Sequence, residues 1–391
     1  MARNLEVEET IQDRKSLFSV KRFRIGNLKI ERPIKTVDTR ILERKTILLK
    51  EIEKDFKTII FERSRLVSDK NLRNLLYGSE RKVNEFFKFR EFMKSYPRLF
   101  PQTLTFNPLE KDKNLEHLSG YFSYLHGFSD PLVLIPNIKI ERYDEKTGKM
   151  KRLLDVDDYI RFVHEAYRML DYRSKKPILV PLSLRFAIEE IRKIAKEYIK
   201  SEYYSVWIDF EGSAISLVKI SKVRSFFLEF EQAGRINDLV VFATNIKREI
   251  ISNIKSEKAP ASDALATLIG SNLIGVNREP QRPPPQEIAD VKAEELRAHK
   301  ARVFDPSTYY YLKPEATAFD EETRKQLFNP AYNILLNSKL LDREFYFQAK
   351  IFLEEGDIEK YITEKQMIRE YKGGKLGKVL FTKEKKLIEW Y

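Results

Sequence analysis

An α/β fold is predicted by three features of this 391-residue chain. Short β-rich runs alternate with helix-length segments, several runs are apolar from end to end, and the alternation recurs eight times before residue 280. Unbroken apolar runs are expected of parallel strands covered on both faces. Eight β/α units in under 300 residues is the arithmetic of a TIM-type (β/α)8 barrel. A doubly wound open sheet is the runner-up, because strand number alone does not prove closure.

The elements follow in order. FSVKRFRI (18–25), Gly26-Asn27 and LKIERPIKTVD (28–38) read as an N-terminal β-hairpin, Gly-Asn being a turn signal between alternating runs. The stretch Ile34 to Val37 is the first of the eight units. The others are KTIIFE (57–62), TLTFNP (103–108), LVLIPN (132–137), PILVPL (177–182), YSVWIDF (204–210), LVVFATN (239–245) and NLIGVN (272–277). Helical stretches are expected at 40–56, 79–96, 157–172, 184–200, 214–233 and 261–269. From Gln281 a proline cluster gives way to a charged stretch poor in apolar residues, read as a linker or mobile loop over 281–306 with a short helix at 287–300. Two helices follow, 320–355 (broken near Asn329-Pro330) and 357–371, with Gly356 as the C-cap between them. The ending GGKLGKVLFTKEKKLIEWY reads as a Gly-rich turn and a basic strand or tail. The expected organisation is a barrel with its hairpin over 1–280, the linker, and C-terminal helices packing on the barrel over 307–391.

Composition narrows the chemistry. The chain has no cysteine, which excludes disulfides, thiolate catalysis and any zinc site built on Cys. Of the four histidines, no two stand at helical ligand spacing. Metal sites made only of carboxylates stay open; no metal and no cofactor is indicated. Seventy-two Lys and Arg against 59 acids give a formal charge of +13, which favours polyanionic partners through counterion release; a solvated, lysine-biased thermophile surface would give the same excess. Abundant Lys, Glu and Ile without Cys fits a hyperthermophile. No apolar run approaches the roughly 20 residues of a membrane helix, and the N-terminus lacks the apolar centre of a secretory signal, so a cytoplasmic location is expected.

In a barrel, the strand C-termini handle the ligand. Four of these ends carry asparagine, Asn107, Asn137, Asn245 and Asn277, and a fifth carries Asp209 and Glu211 in SVWIDFEGS. Convergent asparagines would read the edge of a heterocycle; asparagine also caps helices and starts turns. The i, i+2 spacing of Asp209 and Glu211 puts both carboxyls on one side of a strand, which suits a paired-carboxylate site. Ligand binding without catalysis, helix capping and pairing with a neighbouring Arg are the other readings. Arg278, beside Asn277, is placed to clamp a phosphate or to pair with Glu279. Asp130, before a strand, and Asp263, at a helix start, read as structural.

Three segments resemble the tRNA-guanine transglycosylases, TIM barrels that exchange guanine for a 7-deazaguanine. FSVKRFRIGNLKIERPI is similar to the family's opening hairpin. ASDALATLIGSNLIGVN is similar to the helix and strand of its apolar-Gly-Val-Asp pattern, and NILLNSKLLDREFYFQAKIFLEEGDIEKYITEK (333–365) to its His-Asn-Leu helix and Glu-Gly turn. The family's motif acids are absent: Thr105-Phe106-Asn107-Pro108 and Ile274-Gly275-Val276-Asn277 stand in their places, and the zinc-binding cysteines are missing. Gly212 stands where the family has glycines against which the base lies.

Displacing a base from ribose C1′ needs a carboxylate near the anomeric carbon and a second group to manage the leaving purine's proton. With the family's acids gone, Asp209 and Glu211 are the expected catalytic pair, and Asn107, Asn137, Gly212, Asn245, Asn277 and Arg278 the substrate-binding set. The expected function is base exchange in tRNA or DNA, on a flipped or unpaired base. The alternative is a catalytically inactive nucleic-acid-binding protein or partner subunit of an active homologue. The expected partners are nucleic acid, a purine or deazapurine base and a second subunit in a homo- or hetero-dimer, with no membrane.

Overall fold

The run Ile178–Ser183 is buried at every position, as is Val240–Ile246, so these segments cannot leave a polar face to water and must be covered on both sides. They are central members of a parallel sheet in the computed structural model, which describes residues 5–43, 49–87, 91–109, 115–144, 149–171, 176–279 and 293–382. The protein is α/β, as expected.

Eight strand positions follow the chain. The first comprises Ile34–Lys35 and Val37–Asp38, the second Phe61–Glu62 and Arg65–Val67, the third Arg98–Leu99 and Gln102–Leu104, the fourth Val133–Leu134 and Asn137–Ile138. The fifth to eighth are Ile178–Ser183, Ser205–Ser213, Val240–Ile246 and Leu273–Ile274. The fourth to eighth pair in order and in parallel, and the eighth pairs with the first. The first pairs with the second, the second with the third and the third with the fourth, again in parallel. Helices Val156–Asp171, Ile188–Lys200 and Leu217–Gln232 follow the fourth, fifth and sixth strands.

One face of this sheet carries Ile34, Leu99, Leu134, Leu179, Trp207, Phe242 and Leu273 in a single cluster with Phe23, Ile25 and Ile30. The last three come from the N-terminal hairpin, Ser19–Ile25 and Leu28–Ile30, whose first strand also pairs with Val7–Gln12. The hairpin therefore closes the apolar layer of the sheet. Because side chains alternate along a strand, the residues two positions further on occupy the next layer of the same face. They include Thr36, Asp209, Thr244 and Gly275: the layer turns from apolar to polar toward the strand C-termini.

Several expectations are corrected. The stretch 79–96 divides into a helix, Glu80–Phe87, and a 3-10 turn, Glu91–Ser95. The stretch 261–269 forms two 3-10 turns, Asp263–Leu265 and Thr267–Ile269, ended by Gly270 at φ 87°. The third strand lies earlier than TLTFNP, which leaves Asn107 beyond it. Of the linker at 281–306, residues 281–292 lie outside the described residues, but 293–306 is built structure. Ala293–Lys300 is a helix, and Val303–Asp305 pairs with Tyr310–Leu312. The ending expected as a basic strand or tail begins as a helix, Lys375–Phe381, because Leu376, Leu380 and Phe381 bury one face; helix Leu217–Gln232 supplies Arg224, whose guanidinium donates to the Val379 carbonyl.

The long C-terminal helix, Pro330–Glu355, starts on an Asn329 cap whose Oδ1 accepts from Ala331 N at 3.0 Å and ends on Gly356 at φ 73°. Asp342 in this helix pairs with Arg32 at 2.8 Å and accepts from Lys35 N at 3.0 Å. The helix is thereby fixed against the first strand. Among the described residues no helix is long and apolar enough to cross a membrane.

Candidate functional site

The sixth strand sets the site. Asp209 follows Trp207 and Ile208 on a buried strand, so its carboxylate is held away from water and must be satisfied by protein donors. Four reach it. Thr103 Oγ1 and Asn137 Nδ2 (3.5 Å) donate to Oδ2, and Asn245 Nδ2 and the Glu211 backbone N–H, each at 2.9 Å, to Oδ1. Tyr159 Oη donates to Asn137 Oδ1 at 3.1 Å, which orients that amide. The third, fourth, sixth and seventh strands thus meet on one buried carboxylate.

Just past Asp209 the strand bulges. Asp209 stands opposite Thr244, but Ser213 stands opposite Ile246, so the sixth strand spends two more residues than its partner over this interval. Glu211 (φ 51°) and Gly212 (φ 72°) take left-handed backbone to make the turn, and Asn245 on the seventh strand does so at φ 56°. For glutamate this is strained, and such strain clusters at functional sites. The i, i+2 argument for Glu211 is therefore corrected, since alternation does not survive a bulge. Glu211 still lies within electrostatic reach of Asp209, through the bulge rather than the pleat. Its Oε2 accepts from Arg185 Nε at 3.3 Å, while its buried Oε1 has no hydrogen-bond partner among the described residues. Burial, then the Asp209 charge, raises its pKa above the usual carboxylate value. Asn245 Oδ1 is likewise buried and unpartnered.

A second carboxylate, Glu62, escaped the sequence reading. It ends the run KTIIFE and is fully buried. Its Oε2 accepts from Thr36 Oγ1 at 2.6 Å and Val276 N at 2.9 Å, and its Oε1 from Thr244 Oγ1. The signal was the same as for Asp209, an acid closing an apolar run, but it stands singly. Adjacent residues on the seventh strand, Thr244 and Asn245, so hold the two acids, one each. Beside Glu62, Lys35 donates to the Gly275 carbonyl and to Asn277 Oδ1, the latter at 3.2 Å.

Burial pushes Glu62 up to about 7 from 4.5, against its three donors and Lys35. The folded protein holds this proton more tightly than the unfolded chain, so the associated stability is fully present below about pH 4.5 and is lost as pH rises through 7. Glu62→Gln cannot titrate, so its unfolding free energy should fall less than the parent's between pH 5 and 8, by about 3 kcal/mol. Lys35, lowered by burial, acts in the opposite direction in both proteins. Parallel pH slopes in urea unfolding would remove Glu62 as a titrating group.

The remaining predicted residues divide. Asn277 joins this second cluster, donating to Asp263 Oδ2 at 2.6 Å and to the Ile246 carbonyl at 3.3 Å. Asn107 does not join either cluster. Its Oδ1 accepts from Leu109 N at 2.9 Å and its Nδ2 donates to the Leu153 carbonyl at 3.2 Å, so it shapes a turn. Arg278 forms no ion pair with Glu279. Half-buried, it has no side-chain hydrogen bond among the described residues, and Asp209 and Glu211 favour its charge against the cost of burial. Asp263 is more than a helix start: it accepts from Asn277 and from Tyr311 Oη (2.8 Å), and burial raises it to about 6. Asp130 lies at the opposite strand ends, bridged to Arg98 just before the fourth strand.

No protein-family model matches the chain, and no curated protein matches it. Among solved structures it is similar to the carboxyl transferase domain of Rhizobium etli pyruvate carboxylase with 3-bromopyruvate, at 9% identity and a TM-score of 0.37 over 80% of this chain. The chain spans 48% of that protein's length. It is also similar to a Cellulomonas fimi endo-beta-1,4-mannanase double mutant, at 9% identity and a TM-score of 0.38, covering 68% of this chain and 70% of that one. Likeness at this level speaks to neither substrate nor activity.

Proposed function

We propose that the chain is a (β/α)8 barrel of the tRNA-guanine transglycosylase type, exchanging guanine for a 7-deazaguanine in tRNA or DNA. The circuit of parallel pairings from the first strand through the eighth and back supports the barrel. One observation carries the chemistry: Glu211, raised and with Oε1 unpartnered, lies beside an Asp209 carboxylate held by four donors.

The Asp209 carboxyl, held in place by its four donors, stabilises the oxocarbenium-like state at C1′. Glu211, protonated, gives its proton to the leaving guanine as the C1′–N9 bond breaks. As carboxylate it then takes the N9 proton of the incoming deazaguanine while the new C1′–N9 bond forms. Asn137, Asn245 and Gly212 border the base, and the unpartnered acceptor Asn245 Oδ1 suits the N–H edge of a guanine. Nucleic acid as partner and a cytoplasmic location belong to the same proposal.

The test is incorporation of labelled guanine into tRNA and into single-stranded DNA. Glu211→Gln should lose about 10²- to 10⁴-fold in rate. In the parent, kcat/KM should fall as pH rises through the raised Glu211 pKa, a limb that the variant lacks. Exchange at the parental rate by Glu211→Gln would sink the assignment. A second reading, binding without catalysis or service as a partner subunit, is favoured by the filling of both Asp209 oxygens. It predicts nucleic-acid binding with no incorporation by the parent.

A further inference from the structure

We propose that Arg185, Lys219 and Lys222 form an anion subsite for a phosphate group beside the acid pair. Arg185 follows the fifth strand, and Lys219 and Lys222 lie at the start of helix Leu217–Gln232, after the sixth. Lys219 donates to Ser213 Oγ and lies over the Phe210 ring, 5.3 Å from its centroid; Lys222 donates to the Leu184 carbonyl at 3.0 Å. Among the described residues, Glu211 is the only carboxylate in ion-pair contact with any of the three, through Arg185.

The cations oppose one another. Lys219 is pushed down to about 8, first by burial and then by Arg185, with Lys222 also contributing, while Glu211 and Asp209 act the other way. Lys222 is lowered by burial and Arg185 against the pull of Glu141 and Glu190. Arg185 and Lys219 therefore share one carboxylate, Glu211, that is itself biased toward protonation, and each lysine has donors to spare beyond its one neutral acceptor. Helix Leu217–Gln232 adds to this, since Ser216 gives its first turn no side-chain cap and leaves N–H groups and the dipole for an anion. A tetrahedral oxyanion accepting several charge-assisted bonds fits this surplus. Arg278, after the eighth strand, lies within electrostatic reach of both acids. If the base-exchange reading holds, a nucleotide centred on the acids has a phosphodiester on each flank, and Arg278 meets the second.

The test is binding of a fluorescent single-stranded oligonucleotide to the full chain. A Lys219→Gln/Lys222→Gln variant should bind about tenfold or more weakly, with its salt slope reduced by about one per lost phosphate contact. Lys325→Gln, on the exposed helix Glu321–Gln326, should bind as the parent does. Circular dichroism and thermal unfolding check that both variants fold. Guanosine monophosphate and inorganic phosphate identify the source: weak competition assigns the subsite to strand phosphodiesters, and competition by the monophosphate as strong as by oligonucleotide assigns it to a free phosphorylated ligand. If the double variant binds oligonucleotide, monophosphate and phosphate like the parent at every salt concentration, the subsite is overturned. Weakened binding without base exchange in the parent would keep the subsite and discard the base-exchange reading.

Discussion

Asp209→Asn should lower the proposed base exchange by about 10³-fold or more. The carboxylate has two oxygens for four donors; an asparagine offers one oxygen and places an NH2 where the other was. Whichever way that amide turns, it sets a donor against donors: Thr103 and Asn137 on one side, or Asn245 and the Glu211 N–H on the other. Thr103 can rotate its hydroxyl to accept, but Tyr159 holds the Asn137 amide and the Glu211 N–H can only donate, so either orientation leaves one group without a match. The stability cost is therefore about 1–3 kcal/mol, that of one buried group left unmatched. Loss of the fixed negative charge is the larger effect on rate, and it leaves Glu211 with less reason to hold a proton. Incorporation of labelled guanine, measured well below the variant's unfolding temperature, separates the two effects. Unchanged incorporation would mean that Asp209 is a structural strut.

The same strand marks how far sequence carries. Trp207-Ile208-Asp209 was legible because a continuous apolar run ending in an acid has few explanations, and the eight parallel strands follow from runs of that kind. Glu62 ends KTIIFE in the same manner but has no second acid beside it to mark it out. What makes Glu62 notable lies far off in sequence: Thr36, Thr244 and the Val276 N–H, supplied by three different strands. The position of Glu211 was illegible for another reason. Strand alternation predicts a direction only while the pairing holds, and the bulge between Asp209 and Ser213 shows locally only as Gly212. Asn107 and Asn137 look alike in sequence, each closing a run, yet one makes a turn and the other orients Asp209. The difference is set by Tyr159, which reaches Asn137 from the following helix. The helix Lys375–Phe381 was hidden by its glycines and lysines, and its apolar stripe counts only once Arg224 and its neighbours are there to receive it.

Gly275→Ala should destabilise the protein by about 3 kcal/mol or more, although alanine is ordinarily benign and Gly275 has no left-handed backbone to protect. A Cβ there would overlap Thr244 at Cβ and Oγ1 and stand 2.7 Å from Glu62 Oε2. None of these atoms can withdraw cheaply. Thr244 is wholly buried on the seventh strand and Glu62 on the second, each bonded to the other, and Lys35 donates to the Gly275 carbonyl from the remaining side. Removing the obstruction tests the cause. In the double variant Gly275→Ala/Thr244→Gly the added Cβ replaces a deleted one, so urea unfolding should show a smaller loss than the sum of the two singles, with a coupling of about 1 kcal/mol or more. Additive losses would mean that the glycine is needed for something other than space. A coupled loss carries a consequence for the site: the eighth strand must come this close to the seventh for Val276 N–H to reach Glu62, and the same approach sets Asn277 and Arg278 beside the acids. A side chain at 275 would then displace Asn277 and Arg278, and the nucleic-acid affinity proposed for the chain should weaken in the single variant and recover in part in the double.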